Sequence, residues 1–177
     1  MQDLKPPDAS SNNAFFTTSA YADEARGVGM TSQEQPGIPF WHVWTDNSGI
    51  THQTRQMLQD FKMQEITSGN TPQWLSAPCS GDATVLFSVL PAGWSSPWHE
   101  NPAPQWVMPI SGAWAVETMD GQRVEMGVGD LSFGGDQNTM AQDGKRGHLS
   151  WVVGDEPCRL MIVQLGAAMS PPPRPEQ

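Results

Sequence analysis

The stretch "GWSSPWHENPAPQWVMPISG", residues 93–112, has the spacing of a ligand-bearing strand and turn in a small β-barrel. Pro102 and Pro104 lack the N–H that a central strand needs, so they predict an extended turn after which Gln105 begins a new strand. Side chains two residues apart on a strand point to the same face. If that alternation persists through the turn, His99, Asn101 and Gln105 face the interior of a small β-barrel, with Val107 beneath them.

The rest of the chain has the pattern of an all-β protein. The strongest local signal is Asp120-Gly121 between two alternating runs, which is typical of a tight hairpin. Residues 52–61 have a weakly helical pattern. Short apolar runs separated by turn residues predict an antiparallel sandwich or barrel. They lie at residues 40–45, 61–67, 83–90, 105–110, 113–119, 122–126, 147–153 and 158–165.

The 177 residues suit one domain flanked by two polar ends. Residues 1–37 are rich in Ser, Asn, Thr, Gln, Gly and Pro, and we expect a flexible or docking N-terminal arm. Residues 38–166 carry the strands, and residues 167–177 form a proline-rich C-terminal tail.

Composition argues against several classes of partner. The formal net charge is −10, and nine Lys and Arg residues are too few to suggest binding to nucleic acid or to an anionic membrane surface. No segment has the pattern of a signal peptide or a transmembrane helix. Two cysteines do not make a disulfide framework, so we expect buried thiols and a cytoplasmic location.

A second histidine completes a candidate site. His148 opens the strand "HLSWVV", in which Ser150 shares its face. Two imidazoles on separate strands and the amide oxygen of Gln105 could hold a divalent metal at three points. The alternative is a metal-free pocket in which one histidine is a general base and Gln105 donates to an oxyanion.

The spacing in residues 93–112 resembles the first motif of the cupin superfamily. That motif is a glycine, five residues, His-x-His, three or four residues, a glutamate, six residues and a glycine. Gly93, His99 and Gly112 occupy their places, while Asn101 replaces the second histidine and Gln105 replaces the glutamate. "GDLSF" at 129–133 and His148 fit the second motif loosely. The resemblance covers roughly residues 40–166.

The resemblance implies a double-stranded β-helix, also called a jelly-roll barrel, that pairs through sheet edges into a homodimer. It also implies a metal such as Fe, Zn, Mn, Ni or Cu, although the substitutions leave a neutral ligand set. Glu100, Asp136 and Asp143 are acids that could compensate.

The preferred hypothesis from the sequence is an enzyme that acts on a small apolar or aromatic metabolite. Metal held by His99, Gln105 and His148 would assist isomerisation, cyclisation or elimination. The alternatives are an iron-dependent dioxygenase, a metal-independent acid–base enzyme and a binding module without chemistry. Further candidate pocket residues are Asn101, Val107, Ser150, His42 and His52, of which His42 also fits a partly exposed strand.

Overall fold

The computed structural model describes residues 35–175, and these residues form eleven strands and no helix. The predicted arm therefore lies almost wholly outside the described residues. The strands are β1 (Ile38–Thr45), β2 (Thr51–Leu58), β3 (Lys62–Gln64), β4 (Gln73–Leu75), β5 (Ala83–Leu90), β6 (Gln105–Ser111), β7 (Ala113–Thr118), β8 (Arg123–Met126), β9 (Ser132–Gly135), β10 (His148–Val153) and β11 (Cys158–Leu165).

Two main sheets make up the domain. One has six strands in the order β2-β1-β9-β6-β11-β5, the other has the order β10-β7-β8, and β3 and β4 form a small separate ribbon. This arrangement confirms the all-β prediction and is consistent with a jelly roll. One pairing differs from the antiparallel expectation, because β1 runs parallel to β9.

The six-stranded sheet is covered by apolar side chains on both faces. The inner core joins it to the three-stranded sheet through residues such as Val43, Val107, Trp114 and Val152. A second cluster, which includes Phe40 and Phe133, draws its buried residues from the six-stranded sheet alone and therefore covers the opposite face. Because side chains alternate between the two faces of β6, Val107 belongs to the inner core and Trp106 packs against the second cluster.

Two expectations from the sequence are wrong. The weakly helical segment 52–61 is mostly strand β2, because it pairs with β1 over eight residues and tertiary pairing outweighs weak local preference. The two cysteines are free, as expected, but only Cys158 is buried and Cys79 is exposed.

One surface is unusually apolar. Phe87 on the edge strand β5 is 71% exposed, and its register partner Met161 lies opposite Met108 on β6, which is 45% exposed. Val85 and Val89 are also exposed on this side of β5. Such a patch is typical of protein–protein contacts, and the homodimer stays a prediction that light scattering can test.

Within residues 35–175, the structure contains no helix that could cross a membrane.

Candidate functional site

His99 and His148 lie side by side. The N–H of His99 donates to the carbonyl of His148 at 2.9 Å, and the N–H of His148 donates back to the carbonyl of His99 at 2.8 Å. Residues that exchange both backbone bonds sit directly opposite each other, so their side chains share a face. The imidazole centroids are 4.4 Å apart. The structure therefore brings the two predicted histidines into one site.

A glycine permits this pairing. Gly147 has a φ of +77°, and a Cβ built on it would overlap the carbonyl of His99. Only glycine adopts this conformation readily and leaves room for the facing backbone. The residue before His148 is thus as important to the site's geometry as the imidazoles.

His148 is oriented by a carboxylate. Its Nδ1 lies 2.6 Å from Oδ2 of Asp136, and both side chains are buried. Burial alone would raise the pKa of Asp136, but hydrogen bonds with His148 and Asn101, and the charge of His148, outweigh it and lower that pKa. An ionised carboxylate can only accept, so Nδ1 of His148 carries the proton. In the neutral ring, Nε2 then holds the lone pair.

A backbone carbonyl orients the ring of His99 in the same way. Its Nδ1 donates to the carbonyl of Pro97 at 2.9 Å, which leaves Nε2 with the lone pair when the ring is neutral. Burial is the main cause that lowers the pKa of His99, and the charge of nearby His148 adds to it. His99 is only half-buried, whereas His148 lies deeper. When both rings are neutral, the site therefore has two unprotonated Nε2 atoms, of which that of His99 belongs to the more exposed ring.

The amides that replace the motif's ligands bond to each other. Nε2 of Gln105 donates to Oδ1 of Asn101 at 2.6 Å, and Oε1 of Gln105 accepts from Gln164 at 3.1 Å. Asn101 in turn donates to Asp136 at 2.6 Å. Each end of the Gln105 amide thus makes one of the two hydrogen bonds that an amide oxygen or an NH₂ group can make.

The Nε2 atoms of the two rings fit a divalent metal, because the Nδ1–H of each ring donates to a fixed oxygen. Within residues 35–175 no group of three or more His, Cys, Asp or Glu side chains is placed to hold an ion. Asp136 accepts a hydrogen bond from Nδ1 of His148 and therefore contacts the ring nitrogen that would not bind the metal. Gln105 as the third ligand stays a prediction.

Ser150 and Val107 line the interior beside the histidines. Ser150 is buried, and its Oγ lies 3.3 Å from Oγ of Ser96 on the facing segment. Val107 belongs to the inner apolar core together with Val152, two residues beyond Ser150. The side chains beside the histidines are thus polar, and those deeper in the core, such as Val107 and Val152, are apolar.

The other two histidines lie elsewhere. His42 packs against Phe133 at 5.2 Å between ring centroids, on the outer face of the six-stranded sheet, and bonds to Gln56 at 2.7 Å. His52 bridges two turns, with Nδ1 2.9 Å from Asp120 and Nε2 3.1 Å from Asp46. Neither contacts the histidine pair through these bonds.

Of the three acids considered from the sequence, only Asp136 bonds to a site histidine. Glu100 accepts from Thr139 at 2.6 and 2.7 Å and pairs with Arg146 at 2.9 Å. Asp143 lines a surface cavity of about 170 Å³ whose other lining residues are Ile50, Met119, Gln142 and Lys145.

Sequence reasoning overlooked two residues, Gln164 and Ser96. Gln164 did have a signal, since it shares the inward face of β11 with Leu160 and Ile162. Ser96 lies within the quoted stretch but outside any strand, so alternation could not orient it.

We expect stability to fall as the pH drops below neutrality. Burial lowers the pKa of both His42 and His99, so between those folded values and about 6.5 the unfolded chain binds protons that the folded chain does not. Binding more protons in the unfolded state favours unfolding. The depressed pKa of Asp136 acts only at lower pH, where its stabilisation is lost as that carboxylate becomes protonated.

Urea unfolding at about pH 5.5 and 7.5 measures this effect. The free energy of unfolding should be smaller at the lower pH, and His42→Gln should reduce the difference. An equal free energy at both values, or an unchanged difference in the variant, would contradict the explanation.

No protein-family model matches the chain, and no curated protein matches it significantly. Several solved structures are similar in part, among them the following two. SigE in complex with the anti-sigma ChrR, from Rhodobacter sphaeroides, has a TM-score of 0.36 and 18% identity over 49% of this chain and 41% of that one. The capsular polysaccharide assembling protein CapF from Staphylococcus aureus has a TM-score of 0.26 and 16% identity over 60% of this chain and 31% of that one. Similarity at this level does not indicate a function for this chain.

Proposed function

We propose that the protein is a small-molecule enzyme in which Nε2 of His148 takes and returns a proton. The observation that carries the proposal is the buried 2.6 Å bond between His148 and Asp136, which fixes the proton on Nδ1 and leaves Nε2 basic. A carboxylate in this position also stabilises the imidazolium that forms when Nε2 accepts a proton.

The site supports a particular class of substrate. Nε2 of His99 is a second acceptor, since Nδ1 of that ring is committed to Pro97. A substrate that offers one acidic C–H and one hydroxyl would engage both nitrogens, as an α-hydroxy ketone or aldehyde does. His148 would remove the C–H proton, and the electron pair would move onto the carbonyl oxygen. The hydroxyl proton would pass through Nε2 of His99 to that oxygen, and His148 would return its proton to the former carbonyl carbon, so that the carbon that carried the hydroxyl becomes the new carbonyl.

The surroundings favour an uncharged substrate. Arg146 is paired with Glu100, and Lys145 lies 3.8 Å from Glu117 and over the Trp98 ring. These two basic residues are therefore already occupied, in a chain with a net charge of −10. The apolar residues below the site suit an aliphatic or aromatic body.

Solvent deuterium exchange tests the proposal. A panel of aliphatic and aromatic α-hydroxy ketones is incubated with chelator-treated protein in D₂O, and exchange of the α-hydrogen is followed by ¹H NMR. We expect exchange catalysed by the natural chain and a loss of about 10²–10⁴-fold in His148→Gln, the usual contribution of a general base. His52→Gln, outside the site, is the control.

Ligand-induced NMR shifts without exchange in any member of the panel would indicate the binding module instead. Exchange that survives His148→Gln would contradict the role of His148.

A divalent metal bound by Nε2 of His99 and of His148 is the second candidate, favoured by the fixed oxygens that orient both rings. When bound, such an ion supplies a Lewis acid that polarises a carbonyl or, if it is iron, a centre for oxygen chemistry.

Isothermal titration with Zn²⁺ tests the metal and the predicted role of Gln105 together. If Gln105 is a ligand, Gln105→Glu should bind the ion more tightly, because the substitution supplies an anionic donor. Equal or weaker affinity in the variant removes Gln105 from the ligand set, and no binding to either form removes the metal candidate.

A further inference from the structure

A continuous chain of side-chain hydrogen bonds runs from β11 to His148. Gln164 donates to Gln105, Gln105 donates to Asn101, and Asn101 donates to Asp136. Asp136 then accepts from His148. Except for the partly buried Gln164, every member is buried.

The carboxylate determines the direction of the whole chain. Asp136 has no proton to give, so Asn101 must present its NH₂ group to it and its oxygen to Gln105. Gln105 must then present its NH₂ group to Asn101 and its oxygen to Gln164. Amide groups have nearly the same shape in either orientation, so this order comes from hydrogen bonding alone.

Neighbouring backbone holds the chain in place. Gln164 and Gln105 are register partners on adjacent strands, so the first link is set by the pairing of β11 with β6. At the other end, a Cβ on Gly134 would overlap the amide of Asn101. Both ends of the amide chain are thus tied to the six-stranded sheet.

We infer that Gln164 is a positioning residue for the proposed proton transfer: its NH₂ group matches the direction that Asp136 imposes on the amide chain, whereas an acceptor at this position would oppose that direction and disturb the alignment of Asp136 with Nδ1 of His148. The inference rests on the proposed role of His148. It assigns a function to a side chain that the two-histidine site does not touch.

Reversing the polarity of Gln164 tests the inference. A carboxylate in Gln164→Glu can only accept, so it would require Gln105 and then Asn101 to turn over, which would bring the oxygen of Asn101 against Asp136. Gln164→Met removes the donor without imposing a new direction. Gln56→Glu, which makes the same substitution beside His42 on the outer face, is the matched control.

The readout is the tautomer of His148 in metal-free protein, given by the ¹⁵N chemical shifts of its ring. We expect a single Nδ1–H tautomer in the natural chain, in Gln164→Met and in Gln56→Glu, and a mixture of tautomers in Gln164→Glu. A single Nδ1–H tautomer in Gln164→Glu would overturn the inference and leave the proposed function intact. An Nε2–H tautomer in the natural chain would instead overturn the proposed function.

A double variant keeps the test decisive if Gln164→Glu does not fold. Adding Asp136→Asn supplies an NH₂ group at the far end, so the side-chain amides can run in the reverse direction while the new amide oxygen still accepts from Nδ1 of His148. This arrangement loses the 3.3 Å bond from the backbone N–H of Asn101. We expect this pair to fold and to regain a majority of the Nδ1–H tautomer. A double variant that remains unfolded, or that shows no such recovery, contradicts the inference.

Discussion

Asp136→Asn should lower the rate of proton transfer by about 10²–10⁴-fold while leaving the protein folded. Two donors of Asn101, its side-chain and backbone N–H groups, face Oδ1 of Asp136, so the new amide should keep its oxygen there and present its NH₂ group to His148. His148 would then accept at Nδ1 and carry its proton on Nε2. In this tautomer Nε2 of His148 already carries a proton, so it could not take one from the substrate.

Deuterium exchange with the α-hydroxy ketones measures this loss, and a thermal melt checks the fold. Asp136→Ala serves as a comparison, because it leaves buried donors of Asn101 and His148 without an acceptor and should cost roughly 3–5 kcal/mol of stability. An Asp136→Asn protein that is as active as the natural chain would show that Asp136 has only a structural role.

Gly147→Ala should be strongly destabilising and should separate the two histidines. The new Cβ would overlap the carbonyl of His99, so the bridge between His99 and His148 must open in addition to the strain of a positive φ. Gly144 is a matched control, with φ of +78° and nothing within 4 Å of its Cβ position.

Urea unfolding of the two variants separates the causes. Gly144→Ala should cost about 1–2 kcal/mol from backbone strain alone, and Gly147→Ala should cost clearly more. Equal losses in both variants would mean that the close approach to His99 contributes nothing.

Alternation along single strands explains why part of the site could be predicted. Gln105 and Val107 follow from the period of β6, and the proline turn keeps Asn101 near Gln105. His148 and Ser150 follow in the same way from β10. Local periodicity was sufficient for these residues because each lies on, or next to, a strand with one inward face.

The face of β1 could not be assigned from the sequence. Phe40 and Val43 point to opposite sides of the strand, yet both are buried, because separate apolar clusters cover the two faces of this sheet. Period alone does not say which of two buried faces holds a site. His42 was therefore a reasonable candidate and proves to lie outside the histidine pair.

The role of Asp136 depended on contacts distant in sequence. It follows β9, whose parallel pairing with β1 joins segments about ninety residues apart, and its partner His148 lies beyond a loop of turns. No periodic pattern spans such a loop. Only the folded arrangement shows that this acid orients a histidine and does not stand as a free ligand.

The proposed role of His148 depends on which ring nitrogen carries its proton in the natural, metal-free chain. We expect ¹⁵N NMR, recorded at a pH where this ring is neutral, to find the proton on Nδ1, a downfield Nδ1–H resonance from the bond to Asp136, and an unprotonated Nε2. A proton on Nε2, or an even mixture of the two tautomers, would contradict it, because the nitrogen that faces the proposed substrate would then not be a base.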